Sequence, residues 1–248
     1  MTTLRLQGKT ALVSGAGRGL GRAIAAGFTA HGAKVVAMSR TGTAQSLVAS
    51  GQAAFAVTCD LSDRASLSHG FDETLAHLGG RVDILVNAAG TQKRHEIEDF
   101  PLSDWDEVLA INLTAMFQLS QLAGRVMLAQ GKGSIINIAS MQSIFGGIRI
   151  PAYAASKGGV LQLTRALAVG WSGRGVRVNA IAPGYMRTDM NEALINDPER
   201  SAAILKRIPA GRWGDPEDMV GPCVFLASDE SSYVSGAMLT VDGGYSAS

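Results

Sequence analysis

TALVSGAGRGLG, residues Thr10–Gly21, is a short apolar run followed at once by a glycine-rich turn, and the amphipathic stretch Arg22 to His31 continues from it. The run reads as a buried strand and its continuation as a helix, with Gly15, Gly19 and Gly21 on the turn between them. Glycine at such a turn lets the backbone approach a ligand closely. The free amides and the dipole of the helix N-terminus then favour an anion such as a pyrophosphate.

Reading outward, Lys34–Ser39 forms a second strand about 20 residues after the first glycine. In nucleotide folds a carboxylate at the end of this strand bonds the adenosine 2′-hydroxyl, whereas arginine accommodates a 2′-phosphate. Here the chain reads Ser39-Arg40-Thr41, with Arg18 on the glycine turn as a second guanidinium. Two arginines and no acid favour NADP; if Arg40 is a solvated loop residue, NAD serves as well. A third strand is expected over Gln52–Val57, ending in Thr58-Cys59-Asp60-Leu61. Asp60 either accepts from an adenine amino group or caps the helix that Ser62 and Asp63 open. The fourth strand and its exit turn span Val82 to Gly90 and include Asn87 and Ala88.

Strands that alternate with helices imply a doubly wound α/β sheet, whose ligands bind beyond the C-terminal strand ends. The charged loop Thr91–Glu96 leaves one such end, so Arg94 or His95 meets an acidic substrate or is simply solvated. In the long helix Asp104–Gln130, Asn112 stands among apolar neighbours. An asparagine there competes with backbone bonding, so it either breaks the helix locally and holds a water near Lys157 or is a bonded core residue.

The stretch GSIINIASMQSIFGGIRIPAYAASK, Gly133–Lys157, carries the chemistry. Ser140 ends a buried strand; Pro151 opens a helix on which Tyr153 and Lys157 share a face at i and i+4. A ketone accepts hydride only if a proton reaches its oxygen. Tyrosine serves as acid and base near neutrality if its pKa falls by about 2 to 3 units, which takes roughly 3 to 4 kcal/mol. One ammonium about 4 Å away supplies that much at an effective dielectric near 20. Lys157 is that ammonium, an oxidised nicotinamide ring would be a second positive charge, and Ser140 would hold the substrate oxygen. Further on, strand Val176–Ile181 exits through Pro183, Gly184, Tyr185, Met186 and Thr188. Freed backbone there can bond a carboxamide, and Thr188 a phosphate. The polar helical stretch Asn191–Ile208 is a candidate lid, Asp215-Pro216 opens a helix to Leu226, and Ala237–Val241 is the last strand.

The 248 residues, 46% of them hydrophobic, suffice for one large domain over residues 1–248. A formal charge of +1 with scattered Lys and Arg gives no footprint for nucleic acid, and no window reaches the roughly 18 apolar residues of a membrane span. Cys59 and Cys223 alone suggest neither a disulfide framework nor a metal cluster. The expectation is a soluble, cytoplasmic protein with no metal.

Together, Ser14–Gly21, Cys59-Asp60-Leu61, Asn87-Ala88-Ala89-Gly90, Asn112, Ser140, Tyr153-x-x-x-Lys157 and Pro183-Gly184 resemble the short-chain dehydrogenase/reductase family across the chain. The resemblance implies a seven-stranded parallel sheet with helices on both faces, and a homotetramer. It also implies a catalytic set of Asn112, Ser140, Tyr153 and Lys157, and a nicotinamide cofactor on the quoted motifs, Leu20 and Gly90 included. Ser14 and Ala88 depart from the family's usual Thr and second Asn.

Within the family the chain is similar to the sugar-acid branch, in Gln92–His95 and Ser140–Ser143, and in Gly146–Pro151 and Arg207–Gly214. That likeness implies a keto or hydroxy sugar acid as substrate. Arg94 and Arg149 would then clamp its carboxylate, Gln142 would bond a hydroxyl, and Tyr185 would line the pocket. The rivals are a 3-oxoacyl thioester reductase and an NADP(H)-binding protein without turnover.

Overall fold

The computed structural model describes residues 4–247. Seven parallel strands form one sheet in the order β3-β2-β1-β4-β5-β6-β7, as expected: β1 Thr10–Ser14, β2 Lys34–Ser39, β3 Phe55–Thr58, β4 Ile84–Asn87, β5 Gly133–Ile138, β6 Val176–Pro183 and β7 Met238–Val241. The helices are α1 Gly19–Ala30, α2 Gln45–Ala49, α3 Arg64–His77, α4 Leu102–Leu109, α5 Ala115–Gln130, α6 Pro151–Trp171, α7 Glu192–Ile195, α8 Pro198–Leu205 and α9 Val220–Ala227.

The strands are apolar on both faces because both are covered. Along β1, Ala11 and Val13 face a cluster with Ile24, Phe28, Met219 and Val224. Leu12, one residue out of phase, faces Leu67, Phe71, Leu119, Met127 and Leu167. Strand order reverses between β1 and β4, which opens a crevice where Ser14 lies level with Asn87, and Asn87 with Asn137.

Three expectations shift. The third strand starts at Phe55 rather than Gln52, because the Gln52 and Ala53 amides bond Leu47 O at 2.7 and 3.2 Å and so close α2. The long helix expected from Asp104 is interrupted: Ala110–Thr114 winds as one π-helical turn between α4 and α5, the kind of widening that recurs at functional sites. The stretch expected as a lid, Asn191–Ile208, is two short helices, α7 and α8.

Beneath the crevice, a polar network crosses the core. Asn87 Nδ2 donates to Asn137 Oδ1 at 2.9 Å and to Ser120 Oγ at 3.0 Å, and Asn137 Nδ2 donates to Thr164 Oγ1 at 2.9 Å. It ties β4, β5, α5 and α6 together directly below the site. Replacing Asn137 by Ala strips the Asn87 amide of one partner in a dry environment, which costs about 1–3 kcal/mol for the orphaned group alone. The variant should therefore lose about 1–3 kcal/mol of stability, read as a lower urea midpoint at unchanged m-value.

Candidate active site

At the glycine turn, Gly15 has φ +70°, and a Cβ added there would lie 2.6 Å from the Ala89 backbone; one on Gly21 would lie 2.4 Å from Gly15 O. No larger residue fits either position without moving the backbone. Helix α1 begins after Arg18 with no side-chain cap and no acidic residue in its first turn. Its free N–H groups make an anion site. These features open into a cleft of about 500 Å³.

The cleft gathers most of the predicted cofactor positions: Gly15, Arg18, Gly19, Leu20, Gly21, Ser39, Arg40, Cys59, Asp60, Leu61, Ala88, Gly90, Pro183, Gly184, Met186 and Thr188, with Ser140, Tyr153 and Lys157 at the inner end. Such a cradle fits a dinucleotide, with pyrophosphate at Gly15–Gly21, adenosine toward Asp60 and Arg40, and nicotinamide toward Tyr153. When bound, that group supplies the hydride and, once oxidised, a positive charge near the phenol.

Several positions differ in detail from expectation. Asn87 does not line the cleft, since its side chain is spent in the core network. Cys59 is buried with its thiol turned toward Ser66, so only its backbone faces the cleft. Ser39 accepts from the Ala44 amide at 3.2 Å and shapes the turn. Asp60 does not cap α3; that is Asp63, which accepts from Ala65 N at 2.8 Å. The Asp60 carboxylate accepts from the Ser62 amide and hydroxyl at 2.9 and 2.7 Å, bonds that with Arg40 nearby hold its pKa below the ordinary value. Arg18 pairs with Asp189 at 3.0 Å across the cleft mouth. Sequence reasoning missed Asp189, Thr43 and Asn191 as lining residues, although they lie within three residues of the predicted Thr188 and Arg40, because where a loop turns into the cleft is not visible from its sequence.

At the inner end, Asn112 Oδ1 accepts from Thr91 N at 2.8 Å while its Nδ2 donates to Thr91 O at 2.9 Å and to Ser156 Oγ at 3.0 Å. The amide thereby locks the β4 exit to α6. Lys157 is buried in α6; its Nζ donates to Ile138 O at 2.6 Å and lies 5.7 Å from the Tyr153 ring centre. Ser140 Oγ accepts from Gln142 N at 3.1 Å and keeps its own proton to donate.

The electrostatics correct one expectation. Burial pushes the Tyr153 phenol up, and the Ser140 hydroxyl only partly opposes that. Burial also drops the Lys157 ammonium, to about 8. At the pH where an ordinary phenol ionises the lysine is already neutral. In the chain alone Tyr153 is a proton donor held in its neutral form.

Of the predicted substrate residues, Arg94, Gln142, Arg149 and Tyr185 lie outside this cleft. With the Gln92 amide oriented to present its oxygen, Arg94 Nε and Nη2 donate to it at 3.0 Å. No carboxylate pairs with Arg94 among the described residues. Arg94 is exposed; partial desolvation first, then the like charge of Arg200 and of Arg149, lowers its proton affinity. Arg149 Nε meets Glu96 Oε1 at 3.1 Å, an ion pair exposed on both sides. Gln142 Oε1 is buried without a hydrogen-bond partner. Tyr185 belongs to a wall of edge-to-face rings running Phe145, Tyr245, Tyr185, Trp213. Sequence reading did not find this wall, since its rings come from four separate segments.

A family model described as enoyl-(acyl carrier protein) reductase matches residues 15–246. The chain belongs to the short-chain dehydrogenase/reductase family. It is 47% identical, over 97% of its length and 96% of the relative's, to a 2-dehydro-3-deoxy-D-gluconate 5-dehydrogenase of Pseudoalteromonas atlantica. Among solved structures it is similar to a gluconate 5-dehydrogenase of Burkholderia cenocepacia in complex with NADP and tartrate: 39% identity, TM-score 0.93, covering 99% and 98% of the two chains. It also resembles a protein of Beutenbergia cavernae provisionally described as an NAD(P)-dependent gluconate 5-dehydrogenase, with 51% identity, TM-score 0.94 and full coverage of both chains. As a member of this family the chain is an NAD(P)-dependent oxidoreductase acting on CH–OH groups.

The lowered Lys157 pKa has a measurable consequence. Its folded value of about 8 lies below the unfolded lysine value, so the unfolded chain binds more protons between those limits. Stability of the cofactor-free protein should therefore rise with pH from about 8 to about 10.5, by up to about 3 kcal/mol from this group. Lys157→Met should flatten that rise in urea titrations at pH 7, 8.5 and 10 while abolishing turnover.

Proposed function

We propose that this chain interconverts a keto and a hydroxy sugar acid, a hexonate or deoxyhexonate, with NADP preferred and NAD as the alternative. The observation that carries the reading is the Arg94 guanidinium at the C-terminal sheet edge, without a carboxylate partner among the described residues and with the like charge of Arg200 nearby. Such uncompensated positive charge favours an anionic substrate, and guanidinium suits a carboxylate. Gln142 Oε1 meets a sugar hydroxyl, and the Tyr185 wall packs against the carbon chain. In reduction, Ser140 Oγ donates to the carbonyl oxygen and Tyr153 delivers the proton it takes up. Asn112 sets the backbone around both, and Lys157 holds α6 against the end of β5. The same relatives and NADP complexes support this assignment.

We further infer that the chain acts as a single domain, as a homotetramer and in the cytoplasm. The open edge of β7 with Leu239, and the outward faces of α5 and α6 with Phe117 and Val169, offer surfaces for other copies. Both cysteines are free and buried, a state suited to a reducing compartment. Among the described residues no helix is long and apolar enough to cross a membrane.

The test is a panel of hexonates, keto-hexonates and 3-oxoacyl thioesters with both cofactors, followed at the nicotinamide absorbance. Arg94→Ala should raise KM for the sugar acid at least tenfold, about 1.4 kcal/mol, with little change in kcat. An unchanged KM with good thioester turnover favours the acyl reductase. Tyr153→Phe should lower kcat by about 10³-fold or more while leaving NADP affinity intact; a variant with every function untouched would mean binding without catalysis. Arg40→Ala should raise KM for NADP about tenfold and leave that for NAD within about twofold.

A further inference from the structure

Arg149 is the one non-glycine residue among the described residues with a left-handed backbone, at φ +65°. Strain of this kind persists where surrounding contacts hold it, and it clusters at functional sites. Two contacts hold it here, and both reach the loop that carries Arg94. The His95 amide donates to Arg149 O at 3.2 Å, and Arg149 Nε meets Glu96 Oε1 at 3.1 Å. On its far side His95 is fixed to α4 through Asp104 Oδ2 at 2.6 Å. Arg94 therefore sits between an anchored neighbour and its own bond to Gln92. The Arg149–Glu96 pair is solvent-exposed on both sides, so it contributes little to global stability. Its effect is on where the loop lies.

We infer that Arg149 is a positioning residue: through His95 and Glu96 it staples the 92–96 loop to the segment preceding α6 and so sets Arg94 for the substrate carboxylate, without touching substrate itself. The inference rests on the sugar-acid reading for its effect on turnover and on geometry alone for the staple. It separates the roles of two arginines that the sequence puts in one clamp. Glu96, which a clamp would make a competitor, becomes part of the device.

The test compares Glu96→Ala, Arg149→Ala, the double variant and Arg149→Gly, with D-gluconate as the acid and sorbitol as its neutral counterpart. A staple predicts that each single change raises KM for gluconate about fivefold with kcat nearly constant, and that the double variant is no worse than either. Arg149→Gly, which keeps the backbone shape and loses the ion pair, should match Glu96→Ala. A direct ligand predicts the reverse: Glu96→Ala leaves KM unchanged or lowers it by freeing the guanidinium, and the single effects do not coincide. That result overturns the staple. Hydrogen exchange tests it independently of substrate. Amides of residues 92–96 should exchange faster in Glu96→Ala and Arg149→Ala alike, and unchanged exchange there would also overturn it. Should wild type show no preference for gluconate over sorbitol, the sugar-acid reading falls, and the exchange data still decide the staple.

Discussion

The amide of Asn112 grips the peptide of Thr91 from both sides and reaches the Ser156 hydroxyl as well, and the geometry of the reaction centre depends on that grip. It joins the exit of β4, the middle of a long helical run and the first turns of α6. An asparagine in an ordinary α-helix would compete with its own backbone. Here the run widens into a π turn around it, so the side chain points inward while α4 and α5 continue on either side. Gly90 completes the junction: a Cβ there would lie 3.5 Å from Asn112 Oδ1 and 3.8 Å from Lys157 Nζ.

Lys157 shows why burial and function pull in different directions. Its ammonium is dry, single-bonded to Ile138 O and depressed to about 8. The same burial keeps the Tyr153 phenol neutral. A neutral phenol beside Ser140 is the right state for donating a proton to a developing alkoxide. The reverse direction needs a phenolate, for which the polypeptide alone supplies too little positive charge.

The alternation of strands with helices, the C-terminal edge as the working edge and the convergence of Ser140, Tyr153 and Lys157 were all legible in the sequence. Each follows from periodicity or from an i, i+4 spacing, which are local. What was not legible depends on contacts between distant segments. Glu96 lies far from Arg149 in the chain, and nothing in either neighbourhood announces their pairing or the left-handed backbone. The motif Asn87-Ala88-Ala89-Gly90 implies Asn87 as a cofactor residue, yet its amide serves the core because Asn137 and Ser120 meet it there. In the chain without cofactor the Tyr153 phenol shifts upward, because burial, which the sequence does not show, outweighs the Ser140 hydrogen bond.

Tyr245 lies in the turn that follows β7, packed between Tyr185 and Phe145, with Gly243 and Gly244 closing against Ile208 and Pro209. In chain order this stretch follows every strand of the sheet. The aromatic wall therefore closes only once Phe145, Tyr185, Trp213 and Tyr245 have been brought together from four separate segments, so the chamber for the second reactant forms with the tertiary fold and not before it.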